Sequence, residues 1–487
     1  MSSATAARGT TNGSVASAED RGLHPRLAGA LVFAVALLAW VSSLGVGFLT
    51  DDFEMLARVR GATPAELWSF LWRPAPSSLR PLYVAAFAFD LRLWGLEPAG
   101  FHLTNVLVHA VNAVLVLRLG GALGLPRPAA LAGALFFALD PLAIGAVAWI
   151  SGRADVMAAA FVLGSTLAFL QFAETRHAGP LCTAFVLCAC GLLTKETGAV
   201  AAAWALLVAL ERRRPGLLGG CGALLLIVAG YLAYRRAVIG DLSPTADYLS
   251  FPPPAVALGL LGAGTRIAFP LSDAVLHAPL LRPLAAVILG LLVVWGLRRA
   301  RGEWRRILLL GGCLAAAWAL VLPMLAGLPT LYDSRHQYLP AVPVCLLLGI
   351  ALNGWRRGRT RRVAEVAGPL LALLWLIFLT ANVRHWRRNG TLVREVVDAV
   401  AAAAAPLAPG THLAVSGCPD MKDGYFPFHG NRIGTATHLL HLDTAAVAID
   451  CVGSYACPEE VAAGTLVRID VTGWSVRGWS LSNTGHP

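Results

Sequence analysis

Two adjacent carboxylates, Asp51 and Asp52, followed by Glu54, close an apolar run that extends from Leu27 to Leu49. Adjacent acids at such a point have three uses. One of them can act as a general base on an acceptor hydroxyl. The pair can hold a divalent cation, Mg or Mn, that neutralises a phosphate leaving group. Or the acids can only terminate a membrane span. Taken alone, the pair favours the last use.

Other polar residues change that balance. In "FHLTNVLVHAVNAV", His102, Asn105, His109 and Asn112 recur at offsets of 0, 3, 7 and 10, which is one stripe of a helix. At about 1.5 Å per residue, His109 lies roughly 10 Å deeper than His102. Polar groups at that depth face the interior of a bundle. Interhelical hydrogen bonds, worth about 1 kcal/mol each, account for them structurally. That account serves Asn112 as well as a functional one does, whereas His102, at the mouth, reads as a ligand contact. "TKET" sets Lys195 beside Glu196 between two apolar blocks. A lysine there binds phosphate as a point charge, although a turn held outside the membrane by its charges has the same sequence.

The elements that position these residues are membrane helices. The chain has 487 residues, 57% of them hydrophobic and 14% charged. A soluble protein carries about 25% charged residues, and here the apolar residues fall in blocks of membrane-spanning length. The net charge of +11 does not point to nucleic acid. Its arginines sit in short clusters between apolar blocks, as in cytoplasmic loops, and form no basic face with interleaved aromatics.

Placing those clusters inside predicts an integral protein of the plasma (inner) membrane. The N-terminus is cytoplasmic, the C-terminus is extracytoplasmic, and there are about eleven spans. Residues 1–26 read as a disordered tail with an uncleaved first span behind it, 27–382 as the membrane domain, and 383–487 as a small extracytoplasmic α/β domain. Residues 50–101 form a large outer loop whose helices lie in the interface. The arginine cluster "RRARGEWRR" at 298–306 must stay inside. This makes 255–271 a re-entrant or interfacial helix and 284–297 the span. Strand-like alternation appears in "HLAVSG", "AAVAID" and "TLVRIDV". Six of the nine cysteines lie in apolar blocks and behave as small hydrophobes. In an oxidising exterior Cys451 could pair with Cys418 or Cys457. No C-x-x-C pair marks a zinc site.

With this topology Asp51, Asp52, Arg80, His102, Asn105, Arg153, Asp155, Lys195, Glu196, Arg335 and His336 all fall at outer ends of spans or in outer loops. Outer loops are normally poor in arginine. Each arginine singly can snorkel to headgroups, but the cluster reads as a site for an anionic ligand. Asp51 and Asp52 at the same mouth then read as base or metal ligand.

The motifs "LTDDFEML", "LRPLYVAAFAF", "FHLTNVLVHAVNAVLV", "AVAWISGRADV", "LLTKETG" and "SRHQYLP" follow one another in this order within about residues 48–345. The series resembles the GT-C superfamily of polyprenyl-phosphate-sugar-dependent glycosyltransferases. Within it, the chain is most similar to bacterial relatives of the protein O-mannosyltransferases that carry tetratricopeptide repeats, though it lacks the repeats. The resemblance implies a hexosyl or mannosyl transferase taking a sugar from a polyprenyl-phosphate carrier at the outer membrane face, with inversion. The acceptor is a protein hydroxyl, a glycan or a lipid. It implies Asp51 or Asp52 as the base or acceptor-positioning acid. Arg80, His102, Arg153, Lys195 and Arg335 would meet the lipid phosphate. Where those relatives often have His-Pro and then Glu, this chain has Asp140-Pro141 and Gly145.

Two other functions fit parts of the pattern. A transporter or flippase for a lipid-linked anionic sugar predicts midplane sites and paired repeats; here the charge gathers at one mouth and the halves do not repeat. A membrane scaffold presenting the outer domain predicts that Asp51 and Asp52 are dispensable.

Overall fold

The computed structural model describes residues 23–72, 79–240, 253–271, 280–327, 332–356, 360–417, 432–441, 444, 447–451, 465–472 and 475–483. Cys418 and Cys457, and with them the expected cystine, lie outside these residues.

α1 (Pro25–Trp40) starts with proline at its first turn and continues through a 3₁₀ turn to Gly45. Three helices follow: α2 (Asp51–Val59), α3 (Pro64–Trp72) and α4 (Pro81–Trp94). α5 (Pro98–Ala122) carries the polar stripe. α6 (Arg127–Ala138) ends before Asp140, and the short α7 (Ile144–Val147) precedes α8 (Arg153–Thr175). Then come α9 (Ala178–Thr194), α10 (Val200–Arg212), α11 (Leu218–Ile239), α12 (Pro253–Ala268), α13 (Leu281–Arg299), α14 (Trp304–Gly327) and α15 (Ala341–Trp355). α16 (Arg361–Ala404) is a single helix of 44 residues.

Eight of the described helical segments are long and apolar enough to cross a membrane, and three shorter apolar helices accompany them. The chain is a mostly helical membrane protein. The eleven are not quite the expected eleven. The apolar block before the triple arginine forms only the 13-residue α10, about 20 Å long and short for a bilayer. The piece expected to be re-entrant contributes the apolar helix Ala257–Ala268, packed on α13 and α14.

Helix packing is tight where small residues meet. α15 lies so close to α6 that a Cβ on Gly349 would stand 2.2 Å from the Ala129 carbonyl oxygen. Close approach of this kind replaces the hydrophobic drive that lipid removes between helices. α16 repeats the device beside the acid loop, where a Cβ on Gly390 would stand 2.5 Å from the Gly47 nitrogen.

α16 does not stop at 382. It runs on to Ala404 and carries the last elements: β1 (His412–Ser416), α17 (Arg432–Leu440), β2 (Ala448–Cys451), β3 (Thr465–Thr472) and β4 (Ser475–Asn483). The three alternating segments named above are β1, β2 and β3. The sheet order is β2-β1-β3-β4. β1 is parallel to β2 and to β3, and β3 is antiparallel to β4. The parallel β1–β2 step needs a crossover, and α17 lies in it. α17 packs on α2, and Arg60 donates to the Leu439 carbonyl.

Gly349→Ala should therefore force α6 and α15 apart and lower the thermal midpoint, costing about 1–3 kcal/mol. Gly311→Ala, where a Cβ meets nothing within 4 Å, should leave the midpoint unchanged. Thermal unfolding of both variants in lipid nanodiscs checks the contrast.

Candidate active site

The acids of the mouth have different surroundings. Asp51 and Asp52 open α2, where their charge suits the helix dipole. Asp52 is fully buried. Its Oδ2 accepts from the Leu49 N–H at 2.9 Å, and its Oδ1 accepts from both the backbone N–H and the hydroxyl of Ser151. Burial pushes its carboxyl up to about 7, against the pull of those donors. Asp51 is half-exposed. Asp52 is thus a latch between two segments, and Asp51 is the acid nearer solvent. The residue before them, Thr50, has φ 37° and ψ −103°. A β-branched residue with positive φ is strained by about 1–3 kcal/mol. Such strain persists only when the surroundings hold it in place, as the Asp52 latch does.

The basic residues converge from three segments. Arg80 precedes α4 and bonds Glu196 at 2.8 Å. Lys195 follows α9 and bonds Asp155, in the first turn of α8, at 2.6 Å. Burial, with Arg80 and Arg335 adding to it against the pull of Asp155, pushes the Lys195 ammonium down to about 8. His336 is buried, and its Nδ1 meets no hydrogen-bond partner among the described residues. Burial, then Lys195, Arg335 and Arg80, hold its imidazole far below the usual range, so it stays neutral near pH 7. Arg335 lies over the Trp149 ring at 4.8 Å, a cation–π contact. Tyr83 joins the two halves: its hydroxyl sits against Ser151, within the fields of Asp51, Asp52 and Arg80. The structure therefore brings Asp51, Asp52, Arg80, Asp155, Lys195, Glu196, Arg335 and His336 to one neighbourhood.

The α5 stripe is buried, as its spacing predicts, and three of its residues donate or bridge to other parts of the chain. Asn105 donates to the carbonyls of Val147, Trp149 and Ile150 at 3.0–3.4 Å. Asn112 donates to the Val156 carbonyl at 2.8 Å and to the Tyr338 hydroxyl at 3.1 Å. His109 bridges that hydroxyl, at 2.8 Å, and the Ala138 carbonyl. The His102 ring lies against the Val46–Gly47 backbone, outside good hydrogen-bond geometry. Of these, His102, Asn105 and His109 are the expected ligand contacts. The structure uses Asn105 and His109 to hold the "WISGR" and "SRHQY" segments.

Arg153 is likewise engaged. It pairs with Asp90 at 2.7 Å, with both side chains almost wholly buried. Its guanidinium stacks on Phe87 at 4.6 Å and donates to the Ile150, Ala86 and Phe101 carbonyls. Asp90 also accepts from Thr104. A guanidinium with this many internal acceptors is placed to fix the fold of the mouth.

Sequence reasoning missed Tyr83, Asp90, Trp149, Ser151 and Arg235. Arg235 is fully buried on α11 and bonds Glu196 at 3.0 Å. Its signal was present, as an arginine inside a run of span-like hydropathy. For a cation, the donor set at Asp52 is poor, because N–H and O–H donors already face both of its oxygens. Among the described residues, no group of three or more His, Cys, Asp or Glu could hold a metal.

Comparison with known proteins places this geometry. No family model matches the chain. Protein O-mannosyl-transferase Tmtc2 of Drosophila melanogaster is 34% identical over 186 residues, which is 34% of this chain and 20% of that protein. Human protein O-mannosyl-transferase TMTC4 is 31% identical over 208 residues, 36% of this chain and 28% of that protein. The matched part thus spans less than a third of either relative. ArnT from Cupriavidus metallidurans bound to undecaprenyl phosphate superposes with a TM-score of 0.51 at 14% identity, over 90% of this chain and 92% of that one. The Archaeoglobus fulgidus oligosaccharyltransferase in complex with zinc and sulfate gives a TM-score of 0.50 at 10% identity, over 91% of this chain and 68% of that one. The fold is GT-C. In this chain the acid-bearing segment and the basic turns meet at one end of the helical bundle.

A titration separates latch from ligand. The Asp52 carboxyl is raised from 3.8 to about 7 in the folded protein. The stability this shift contributes is therefore complete below about pH 4 and lost as the pH rises through about 7. The thermal midpoint of the wild type should fall relative to Asp52→Asn over that window, measured in nanodiscs in a pH series.

Proposed function

We propose that the chain transfers a sugar from a polyprenyl-phosphate carrier to a hydroxyl acceptor at the membrane–water boundary. The observation that supports this most directly is that Asp51 and Arg80 meet at Tyr83, and that Arg80 also acts on His336 together with Lys195 and Arg335. A phosphate leaving group and a proton acceptor are needed side by side, and this mouth offers both. The names of the similar proteins support the same chemistry: two are O-mannosyl-transferases, and ArnT was crystallised with undecaprenyl phosphate.

In this reading the carrier's long chain stays in the bilayer, which fixes the reaction at the mouth. The acceptor oxygen attacks the anomeric carbon from the side opposite the phosphate. Its proton passes to the Asp51 carboxylate as the sugar–phosphate C–O bond breaks. The departing phosphate gains charge, which Arg80, Lys195 and Arg335 stabilise, with neutral His336 as a further donor. One displacement inverts the anomeric configuration. Asp52 and Thr50 hold Asp51, and Glu196 holds Arg80. No step above calls on a cation. The mouth is extracytoplasmic and the N-terminus cytoplasmic in this reading, which follows the arginine clusters of the sequence.

Carrier release from a panel of polyprenyl-phosphate sugars, with a hydroxyl-bearing peptide as acceptor, tests the proposal. Asp51→Asn should lower release by about 10²–10⁴-fold while donor binding persists. Full activity of Asp51→Asn would overturn the assignment of the base. Tight donor binding without release by the wild type would favour transport over transfer.

Donor affinity should also depend on pH. The Lys195 ammonium is pushed down to about 8, so its charge is present below that pH and lost above it. Affinity for polyprenyl phosphate should weaken as the pH rises through about 8. Lys195→Arg, which keeps its charge, should flatten the profile. Binding isotherms in nanodiscs at several pH values check both.

A further inference from the structure

We infer that a crevice between α1, α5 and α6, at the end of the bundle remote from Asp51, binds an anionic phospholipid. The location follows from chain direction. α1 runs from Pro25 toward the acid loop, so Arg26 lies at its far end. α5 runs the other way. His102 lies near Val46 and Gly47, and Arg118 follows sixteen residues later, about 24 Å along the helix.

The crevice has a volume of about 940 Å³, and its walls are mainly apolar. It exists because the facing residues are small. A Cβ added at Gly29 would meet only Val114, at 3.9 Å, and one at Gly121 would meet nothing within 4 Å. Among the described residues, four arginines line it, Arg26, Arg118, Arg127 and Arg356, and no aspartate or glutamate does. A second hollow of about 390 Å³ adjoins it, sharing Pro128, Ala132, Leu135 and Arg356, and continues along α15 and α16. The one acid of that hollow, Glu365, is paired with Arg361 at 2.8 Å.

Guanidinium groups bind phosphate through paired donors. Basic pockets between membrane helices recognise anionic headgroups. Apolar walls beneath the arginines suit acyl chains, and two hollows with a common rim suit two of them. A soluble phosphate would use the arginines and leave the walls uncovered. The donor's own phosphate belongs to the mouth at the opposite end. This site stands whether or not the transfer reaction does.

The test is native mass spectrometry of the full chain, delipidated and titrated with phosphatidylglycerol or with phosphatidylcholine of the same acyl chains. Phosphatidylglycerol should bind at least about tenfold tighter, and R118Q/R356Q should weaken it by about tenfold or more. Polyprenyl phosphate binding and the thermal midpoint in phosphatidylcholine should not change. R118K/R356K, which keeps the charge, should retain the preference for phosphatidylglycerol and so guard against a misfolded glutamine variant. Equal binding of the two lipids would overturn the inference. So would unchanged phosphatidylglycerol binding in a folded R118Q/R356Q protein, or displacement of the lipid by inorganic phosphate.

Discussion

Backbone that leaves the helix inside an apolar bundle must find donors for every carbonyl it exposes. Between α7 and α8 the chain does so at residues 148–152. Asn105 answers with one amide group directed at three carbonyls there. With that turn held, Ser151 faces Asp52 and Arg153 faces Asp90. The same stripe holds Tyr338, and so the segment bearing Arg335 and His336. The mouth is built from irregular segments tied to one straight helix. A helix is the stiffest part available, and its polar stripe serves as the anchor.

The charges around the mouth divide by what they already hold. Arg153 and Asp90 are bound to each other and to backbone in a dry setting. A buried pair of this kind contributes little net stability, but removing one partner strands the other charge. Its use is geometric, joining α4 to the turn before α8. Lys195 and Arg80 also have acid partners, yet they share their neighbourhood with Arg335 and His336. Arg80, Lys195 and Arg335 all act on the buried His336 there. The acid side is arranged in the same way, with Asp52 saturated by donors and Asp51 beside it.

The terminal sheet also takes part in this arrangement. α16 runs as one helix from the bundle to the sheet and packs on β3 and β4, which joins sheet and membrane helices. α17, in the crossover from β1 to β2, comes to rest on α2. The helix bearing the acids is thereby packed between the bundle and the sheet unit. The Gly47–Gly390 contact brings α16 against the loop that leads to Thr50 and Asp51.

The amino-acid sequence by itself determined the membrane character, the approximate number of helices, three of the four strands and the polar stripe. Each rests on a short-range period or composition that any bilayer or sheet imposes locally. It also pointed to the residues that gather at the mouth, through their order along the chain. Helix length at α10, the continuity of α16 and the hydrogen-bond partners of the stripe were settled only by tertiary structure. So were the partners of Arg153, Asp52 and Lys195, which come from segments distant in sequence. A charge in a sequence has no address until packing decides whether an acid or a ligand neutralises it. Burial then fixes the cost of leaving it unpaired, and that cost separates the residues that build the mouth from those that serve it.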